Sequence, residues 1–290
     1  MTESSQAPST HKIDIKQIFH EKSPRLARLI PGFIYVYLKK ILHQDFVNDF
    51  LERHGDKMGL DFMEAAYQEF NVDMRITGEE HLPDSGRFLI VANHPLGGFD
   101  GNMLIYIMRK HYPRVVFLVN DILMNLKNMD EFFIPINKHG GQSRDSVKKL
   151  DEAYRSDMQI LSFPSGMVSR KLSGKIQDLV WQKNFILKSV QYERDVIPIH
   201  VSGRNSNFFY RLARIRKFLG IKWNLEMLYL PDETYNHRNK TFTFTIGKPI
   251  PYTVFDRRHS PMEWAARIRE LVYRLPENKD ASLQEEKNNV

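Results

Sequence analysis

The sequence predicts an α/β fold, a mixed central sheet flanked by helices and preceded by a helical N-terminal arm. Three observations predict it. Apolar residues recur at three-four spacing from Ser23 to Phe70, short strand-forming runs begin after Asn71, and helical stretches separate several of those runs. With 290 residues, 42% of them apolar, the chain can bury a core without disulfide or metal staples.

The elements follow in order. In the arm, Leu29, Phe33, Val36, Tyr37 and Lys40 keep the helical period, with Pro31 and Gly32 marking a start or a kink. Phe46, Phe50, Leu51, Met58, Phe62, Ala65 and Ala66 continue it. Strands are expected at 72–77, 87–92, 115–119, 132–136, 159–163, 196–201, 226–230 and 241–246. Helices are expected near 101–111, 143–156, 178–192 and 207–219. The run 241–246 alternates Thr with apolar residues, which suits an edge or an antiparallel position. Residues 1–12 and 277–290 are polar, poor in aromatics and expected to be disordered tails. The simplest division is an arm over 13–70 and one α/β domain over 71–276.

Composition narrows the chemistry. The chain has no cysteine, which excludes a disulfide framework, a thiolate zinc site, an iron–sulfur cluster and a thioacyl-enzyme. Its eleven histidines show no metal-ligand spacing, so no metal is expected. The net charge of +7 favours an anionic partner such as a phospholipid or a phosphate-bearing cofactor. Nucleic acid is not expected, because no helix-turn-helix, zinc finger or stacking-aromatic signature is present. The segment Met1 to Lys12 is polar and lacks the apolar stretch of a signal peptide. The longest apolar stretch, 29–42, carries Pro31, Lys39 and Lys40 and falls short of the roughly 20 residues that span a bilayer. A soluble or peripheral protein is expected.

Four blocks put chemistry-bearing residues at the ends of strands. The first is Asn93-His94-Pro95-Leu96-Gly97-Gly98-Phe99-Asp100-Gly101, where a strand delivers a histidine into a Pro/Gly turn and an aspartate opens the next helix. In open α/β sheets ligands bind outside the carboxyl ends of strands. A neutral imidazole there can take a proton from an attacking amine or hydroxyl while a carboxylate holds its tautomer. Gly97 and Gly98 can bring backbone N–H groups to an oxyanion. The same spacing also suits a structural turn histidine with Asp100 as an N-cap.

The second block, Phe163-Pro164-Ser165-Gly166-Met167-Val168-Ser169-Arg170-Lys171, follows a strand with hydroxyls and two adjacent cations that can hold a phosphate, or that form a solvated basic loop. The third, 132–141, ends a strand in Lys138 and the pair Gly140-Gly141, an anion-binding turn. In the fourth, 197–206, His200 reads as a core residue within its strand, and Arg204 and Asn205 as site candidates past its end. Each block alone is weak, but four in this order mark one rim of one sheet.

These blocks resemble the glycerolipid (lysophosphatidic acid) acyltransferase superfamily over about residues 70 to 250, in which an Asn-His-…-Asp block precedes a Phe-Pro-(Glu)-Gly-…-Ser-Arg block by some 70 residues. The wording NHPLGG-D, FPSG-VSRK and GRNS-FFY is closest to the hemolysin-like and amino-acid-lipid N-acyltransferase branch, whose members acylate ornithine or glycine. The resemblance implies that His94 is the general base and Asp100 its orienting partner. It implies that Ser165, Gly166 and Arg170 bind acceptor or donor phosphate, and that Lys138 stands where the wider family has a basic residue. Asn93, Gly97, Gly98, Ser169, Lys171, Arg204 and Asn205 complete the expected substrate-binding set. Two departures bear on the acceptor: five residues separate His94 from Asp100 where the main family has four, and Ser165 replaces the usual Glu.

The expected activity is therefore acyl transfer from a thioester, in membrane-lipid synthesis, to a small acceptor, with an amino-acid α-amine preferred over a lysophospholipid or glycerol 3-phosphate. Without a cysteine or a nucleophile-elbow serine the expected path is a single displacement. The donor is expected to be an acyl carrier protein or coenzyme A thioester acting as co-substrate, with no bound cofactor. A membrane-proximal arm and a cytoplasmic, peripheral location on the inner face of the cell membrane follow from the resemblance and from 207–219. There Phe208, Leu212, Ile215 and Leu219 share one helical face, with Arg211, Arg214 and Lys217 toward the other. A core-facing apolar stripe is the alternative for that helix. For the whole chain the alternative is a lipid-binding protein without turnover.

Overall fold

The computed structural model of the chain describes residues 12–119, 127–135 and 144–283. Its contacts form two compact units, Met1–Val72 with Ser206–Lys240, and Asp73–Asn205 with Thr241–Val290.

In the first unit, helices α1 (Ile15–Lys22), α2 (Pro24–Leu29), α3 (Gly32–Ile41), α4 (Gln44–His54) and α5 (Gly59–Phe70) form the predicted arm. Ile15, Leu38 and Ile41 pack together with Phe19, Ile34 and Tyr229 around them. The segment 206–240 was expected in the α/β domain but groups with these helices. It consists of α9 (Asn207–Phe218), a 3-10 turn at Leu225–Tyr229 and α10 (Leu230–Tyr235). The reason is local: Tyr37 and Tyr229 share a hydroxyl hydrogen bond of 2.5 Å, and His43 pairs with Asp232 at 2.8 Å. The 3-10 turn replaces the strand expected at 226–230, because Glu226 is buried against the guanidinium of Arg216 at 2.8 Å and Pro231 opens a helix.

The second unit holds strands β1 (Asp73–Thr77), β2 (Phe88–Ala92), β3 (Val115–Val119), β4 (Phe133–Pro135), β5 (Gln159–Ser162), β6 (Arg170–Leu172), β7 (Lys175–Gln177), β8 (Asp195–Val201) and β9 (Thr241–Ile246). Seven of them make one sheet in the order β1-β9-β8-β2-β5-β3-β4, while β6 and β7 form a separate hairpin. Neighbours from β8 to β4 run parallel, whereas β9 is antiparallel to β8 and parallel to β1. So β9 takes the antiparallel position expected of its Thr alternation, but inside the sheet and not at an edge. All five residues of β2 are buried, as a strand covered on both faces requires.

Helices α6 (Gly98–Arg109), α7 (Arg144–Arg155), α8 (Asn184–Tyr192) and α11 (Pro261–Arg274) flank the sheet. One core joins Leu89, Ile160 and Val196 to Phe185 of α8 and to Trp264, Ile268 and Val272 of α11. Each such side chain contributes about 1.5–3 kcal/mol on full burial. The sequence reading passed over α11, although Ser260 and Glu263 form a capping box around Pro261. Residues 277–283, expected to be tail, are tied down: Lys248 pairs with Asp280 at 2.8 Å, and Ala281 and Leu283 pack on the core. Buried Arg194 donates to the carbonyls of Tyr154 at 2.8 Å and Ala153 at 3.1 Å, closing the end of α7; burial lowers its pKa to about 10.

Candidate active site

Because β2, β5 and β8 are adjacent and parallel, the loops leaving their carboxyl ends emerge on the same rim. Those loops carry the first, second and fourth blocks. Lys138, from the third, lies outside the described residues.

The first loop starts where the β2–β8 ladder ends. The Asn93 side chain continues that ladder, donating to the Val201 carbonyl at 2.9 Å and accepting the Val201 N–H at 2.7 Å. Both ends of its amide thus hold the loop in place against β8. Gly97 then adopts φ 85° and ψ −140°, a conformation open to glycine, and turns the chain into α6, where Gly98 is the first residue.

Asp100 sits fully buried in the first turn of α6. Its Oδ2 accepts the Leu96 N–H at 2.8 Å, and its Oδ1 accepts the Gly101 N–H at 2.8 Å. Two backbone donors at the N-terminal turn of the helix thus hold both carboxyl oxygens in place. Oδ1 also meets His94 Nδ1 at 2.9 Å. That contact favours the tautomer with the proton on Nδ1 and leaves Nε2 as the basic nitrogen. Nε2 has no hydrogen-bond partner among the described residues, and the imidazole keeps 15% of its surface exposed.

The second loop fixes the plane of that ring. Phe163, the first residue past β5, stacks on the His94 imidazole with ring centroids 4.0 Å apart and 17° between planes. Phe117 meets Phe163 edge-on at 5.4 Å. Both rings need Gly101, where a Cβ would stand 2.6 Å from Phe117 and 3.2 Å from Phe163. Past the tight turn at Gly166, the Ser169 N–H donates to the His94 carbonyl at 2.7 Å.

Beneath this turn lies a residue that sequence reasoning missed. Asp178 is buried, and its Oδ1 accepts the His94 N–H at 3.1 Å and the Ser169 hydroxyl at 2.5 Å. Its Oδ2 accepts the indole N–H of Trp181 at 2.9 Å. Burial raises its pKa, and the three donors work in the opposite direction. Tyr273 of α11 accepts the Asp178 N–H at 2.7 Å. The available signal was a lone carboxylate in the apolar setting Ile176-Gln177-Asp178-Leu179-Val180-Trp181.

The other expected binding residues divide. Ser165 donates its hydroxyl to the Met167 carbonyl at 2.8 Å, inside its own turn, and Ser169 commits its hydroxyl to Asp178. Both hydroxyl bonds hold the shape of the loop. Arg170 is buried and donates to the Val168 carbonyl at 2.9 Å, while Lys171 is exposed. At the end of β8, Arg204 is exposed and Asn205 buried, and Gly203 lies against Leu96 of the histidine loop. His200 faces Tyr273 with ring centroids 5.8 Å apart, and burial lowers its pKa to about 4, so it stays neutral as a core residue. A separate groove of about 380 Å³, lined in part by Ile186, Val190, Phe255 and Trp264, contains none of the site residues.

An imidazole with one open nitrogen, a carboxyl partner behind it and a small-residue turn beside it suits proton removal from a nucleophile that attacks a carbonyl. Comparison with known proteins gives the reaction class, acyl transfer. A family model described as acyltransferase matches residues 17–282. The chain is 47% identical over 264 residues to the lyso-glycine lipid O-acyltransferase of Bacteroides thetaiotaomicron, covering 91% of this chain and 97% of that protein. To the protein of the same description in Phocaeicola vulgatus it is 49% identical over 264 residues, covering 91% and 95%. Among solved structures, the 1-acyl-sn-glycerophosphate acyltransferase PlsC of Thermotoga maritima shares the fold with a TM-score of 0.50 at 16% identity, over 92% of this chain and 88% of that one. The chain therefore belongs to the acyltransferase family and is an acyltransferase of lipid synthesis.

Proposed function

We propose that the protein transfers a fatty acyl group from a thioester to a hydroxyl of a lysolipid built on glycine. The observation that carries the reaction is the His94–Asp100 pair, with Nδ1 held at 2.9 Å and Nε2 open. Nε2 removes the proton of the acceptor hydroxyl as its oxygen attacks the thioester carbonyl, while Asp100 stabilises the imidazolium. The new C–O bond forms, the C–S bond breaks, and the imidazolium returns its proton to the leaving thiolate. With no cysteine in the chain, the transfer proceeds in a single displacement.

The acceptor is argued from the relatives, two of which are named O-acyltransferases of lyso-glycine lipid at 47% and 49% identity. In this reading a hydroxyl takes the place of the α-amine expected from sequence. The donor, coenzyme A or carrier-protein thioester, is water-soluble, and the acceptor is held in a membrane. The reaction therefore belongs at a bilayer surface, on the cytoplasmic side where such donors are found. Among the described residues no helix is long and apolar enough to cross a membrane, which accords with a peripheral enzyme.

The test is purified protein supplied with acyl-coenzyme A or acyl-carrier protein and, in parallel, lyso-glycine lipid, free glycine and lysophosphatidic acid. Mass spectrometry should find one added acyl ester on lyso-glycine lipid, and none with His94→Ala. An amide on free glycine, or product on lysophosphatidic acid alone, would overturn the acceptor assignment.

A further inference from the structure

We propose that the turn Phe218–Trp223, together with the outer face of α9, inserts into the headgroup region of an anionic bilayer. The proposal deepens the reading of the chain as a lipid acyltransferase by naming the surface that meets the membrane. Four features of the first unit support it.

Helix α9 has two apolar faces. Phe209, Tyr210 and Ala213 are buried, as a core-facing stripe should be. Yet of the stripe legible in the sequence Phe208, Ile215 and Leu219 are exposed and Leu212 half-buried, and Phe218 beside them is exposed to 88%. A helix that only borders a core presents polar residues outward.

The turn after α9 is held rigidly, with its apolar side chains outward. The Ile221 N–H donates to the Arg216 carbonyl at 3.1 Å and the Gly220 N–H to the Lys217 carbonyl at 3.2 Å, around Gly220 at φ +67°. This pairing is a Schellman closure. Arg216 adds a bond to the Ile221 carbonyl at 2.8 Å and is itself fastened to buried Glu226. From this fixed loop Leu219, Ile221 and Trp223 stand in solvent, Trp223 to 80%.

The surrounding charge has one sign. No acidic residue occurs from Ser206 to Asn224. Arg211, Arg214, Lys217 and Lys222 are exposed, and their side chains make no ion pair or hydrogen bond among the described residues. Long cationic side chains around an apolar, tryptophan-bearing tip match the interface of an anionic bilayer, where the stems lie along apolar surface and the charges meet phosphates.

The patch also continues onto the arm. Phe208 packs edge-on against Tyr229 at 4.9 Å, and Tyr229 bonds to Tyr37 of α3. Beside Tyr37 on α3, Phe33 and Val36 are exposed, Phe33 to 71%. A contiguous apolar area of this kind on a single chain marks an interaction surface.

The experiment uses the full chain and vesicles of phosphatidylcholine with or without phosphatidylglycerol. Of the three tryptophans, Trp181 and Trp264 are buried, so Trp223 reports on the turn. Anionic vesicles should shift tryptophan emission to shorter wavelength, and Trp223→Phe should remove that shift. In sedimentation, Phe218→Glu with Trp223→Glu should weaken vesicle binding at least about tenfold. Arg211→Glu with Arg214→Glu should weaken binding to anionic vesicles by roughly fivefold or more per position, with little change on phosphatidylcholine alone. Acyl transfer to detergent-dispersed lysolipid should survive in all these variants, so loss of membrane binding and failure of the functional reading are measured separately. Vesicle binding without an emission shift, or unchanged binding by the Glu variants, would overturn the proposal. Loss of a homodimer in light scattering with vesicle binding intact would also overturn it, making the surface a protein interface.

Discussion

The carboxylate of Asp178 accepts the backbone N–H of His94 at 3.1 Å across 84 residues of sequence. Through the Ser169 hydroxyl and the Trp181 indole it joins both loops to one buried carboxyl. Asp178→Asn keeps the shape but replaces one acceptor oxygen with a donor, so one of the three donors loses its partner. We expect kcat to fall about 100-fold, as misplacement of a catalytic group by about an ångström does. KM should stay within about threefold. Steady-state kinetics with the apparent Tm decide it: a lower Tm at unchanged kcat would leave Asp178 a stability residue only.

The His94–Asp100 pair should show its division of labour in separate variants. His94→Ala removes the base and should cost on the order of 1,000-fold in kcat. Asp100→Asn should cost about 100-fold, because a neutral amide stabilises the imidazolium poorly and turns a donor of its own toward either the Leu96 or the Gly101 N–H. Equal losses in both single variants and in the double variant would show that they act as a unit.

Gly101 should be intolerant because of what surrounds it, not because of its own conformation. In Gly101→Ala the new methyl would stand 2.6 Å from Phe117 and 3.2 Å from Phe163, so the ring stacked on His94 must shift. We expect kcat to drop at least tenfold, with a stability loss of about 1–3 kcal/mol from overpacking. Wild-type turnover in this variant would show that the Phe163 stack does not position the base.

Ser165→Ala tests a residue that the sequence placed in substrate binding and the structure places inside a turn. Losing the bond to the Met167 carbonyl should cost about 1 kcal/mol of stability. Turnover should stay within about threefold, with KM for each substrate likewise. A rise of tenfold in one KM would return Ser165 to the binding site.

Acid should weaken the fold through two histidines. Burial lowers the pKa of His200 and of His237 from 6.5 to about 4. Between those values the unfolded chain binds protons that the folded chain does not, so stability is full above pH 6.5 and declines as pH falls toward 4. Each histidine contributes on the order of 2–3 kcal/mol across that window. Denaturant midpoints from pH 7 to 4.5 should decline, and His200→Gln should flatten the slope by about half. A flat profile in the wild type would show that neither histidine is buried in its neutral form.

What the sequence determined by itself is what depends on nearby residues. The strand runs announced the sheet through their composition, and 115–119 and 241–246 match their strands residue for residue. The His94–Asp100 pair was legible because the two residues lie at the ends of one short Pro/Gly turn, with five residues between them, and meet within it. Capping signals around Ser260 were equally local and went unread. Only the tertiary structure decided the rest. Parallel pairing brought Phe163 and Ser169 onto the His94 loop, and a buried carboxyl was tolerable at Asp178 only where three donors converge on it. The run 226–230 has strand composition, yet burial of Glu226 against Arg216 made it a helical turn. Periodicity located the apolar stripe of α9 but did not say which way it faces. Side-chain period follows from backbone geometry, whereas burial depends on what the rest of the chain brings to each face.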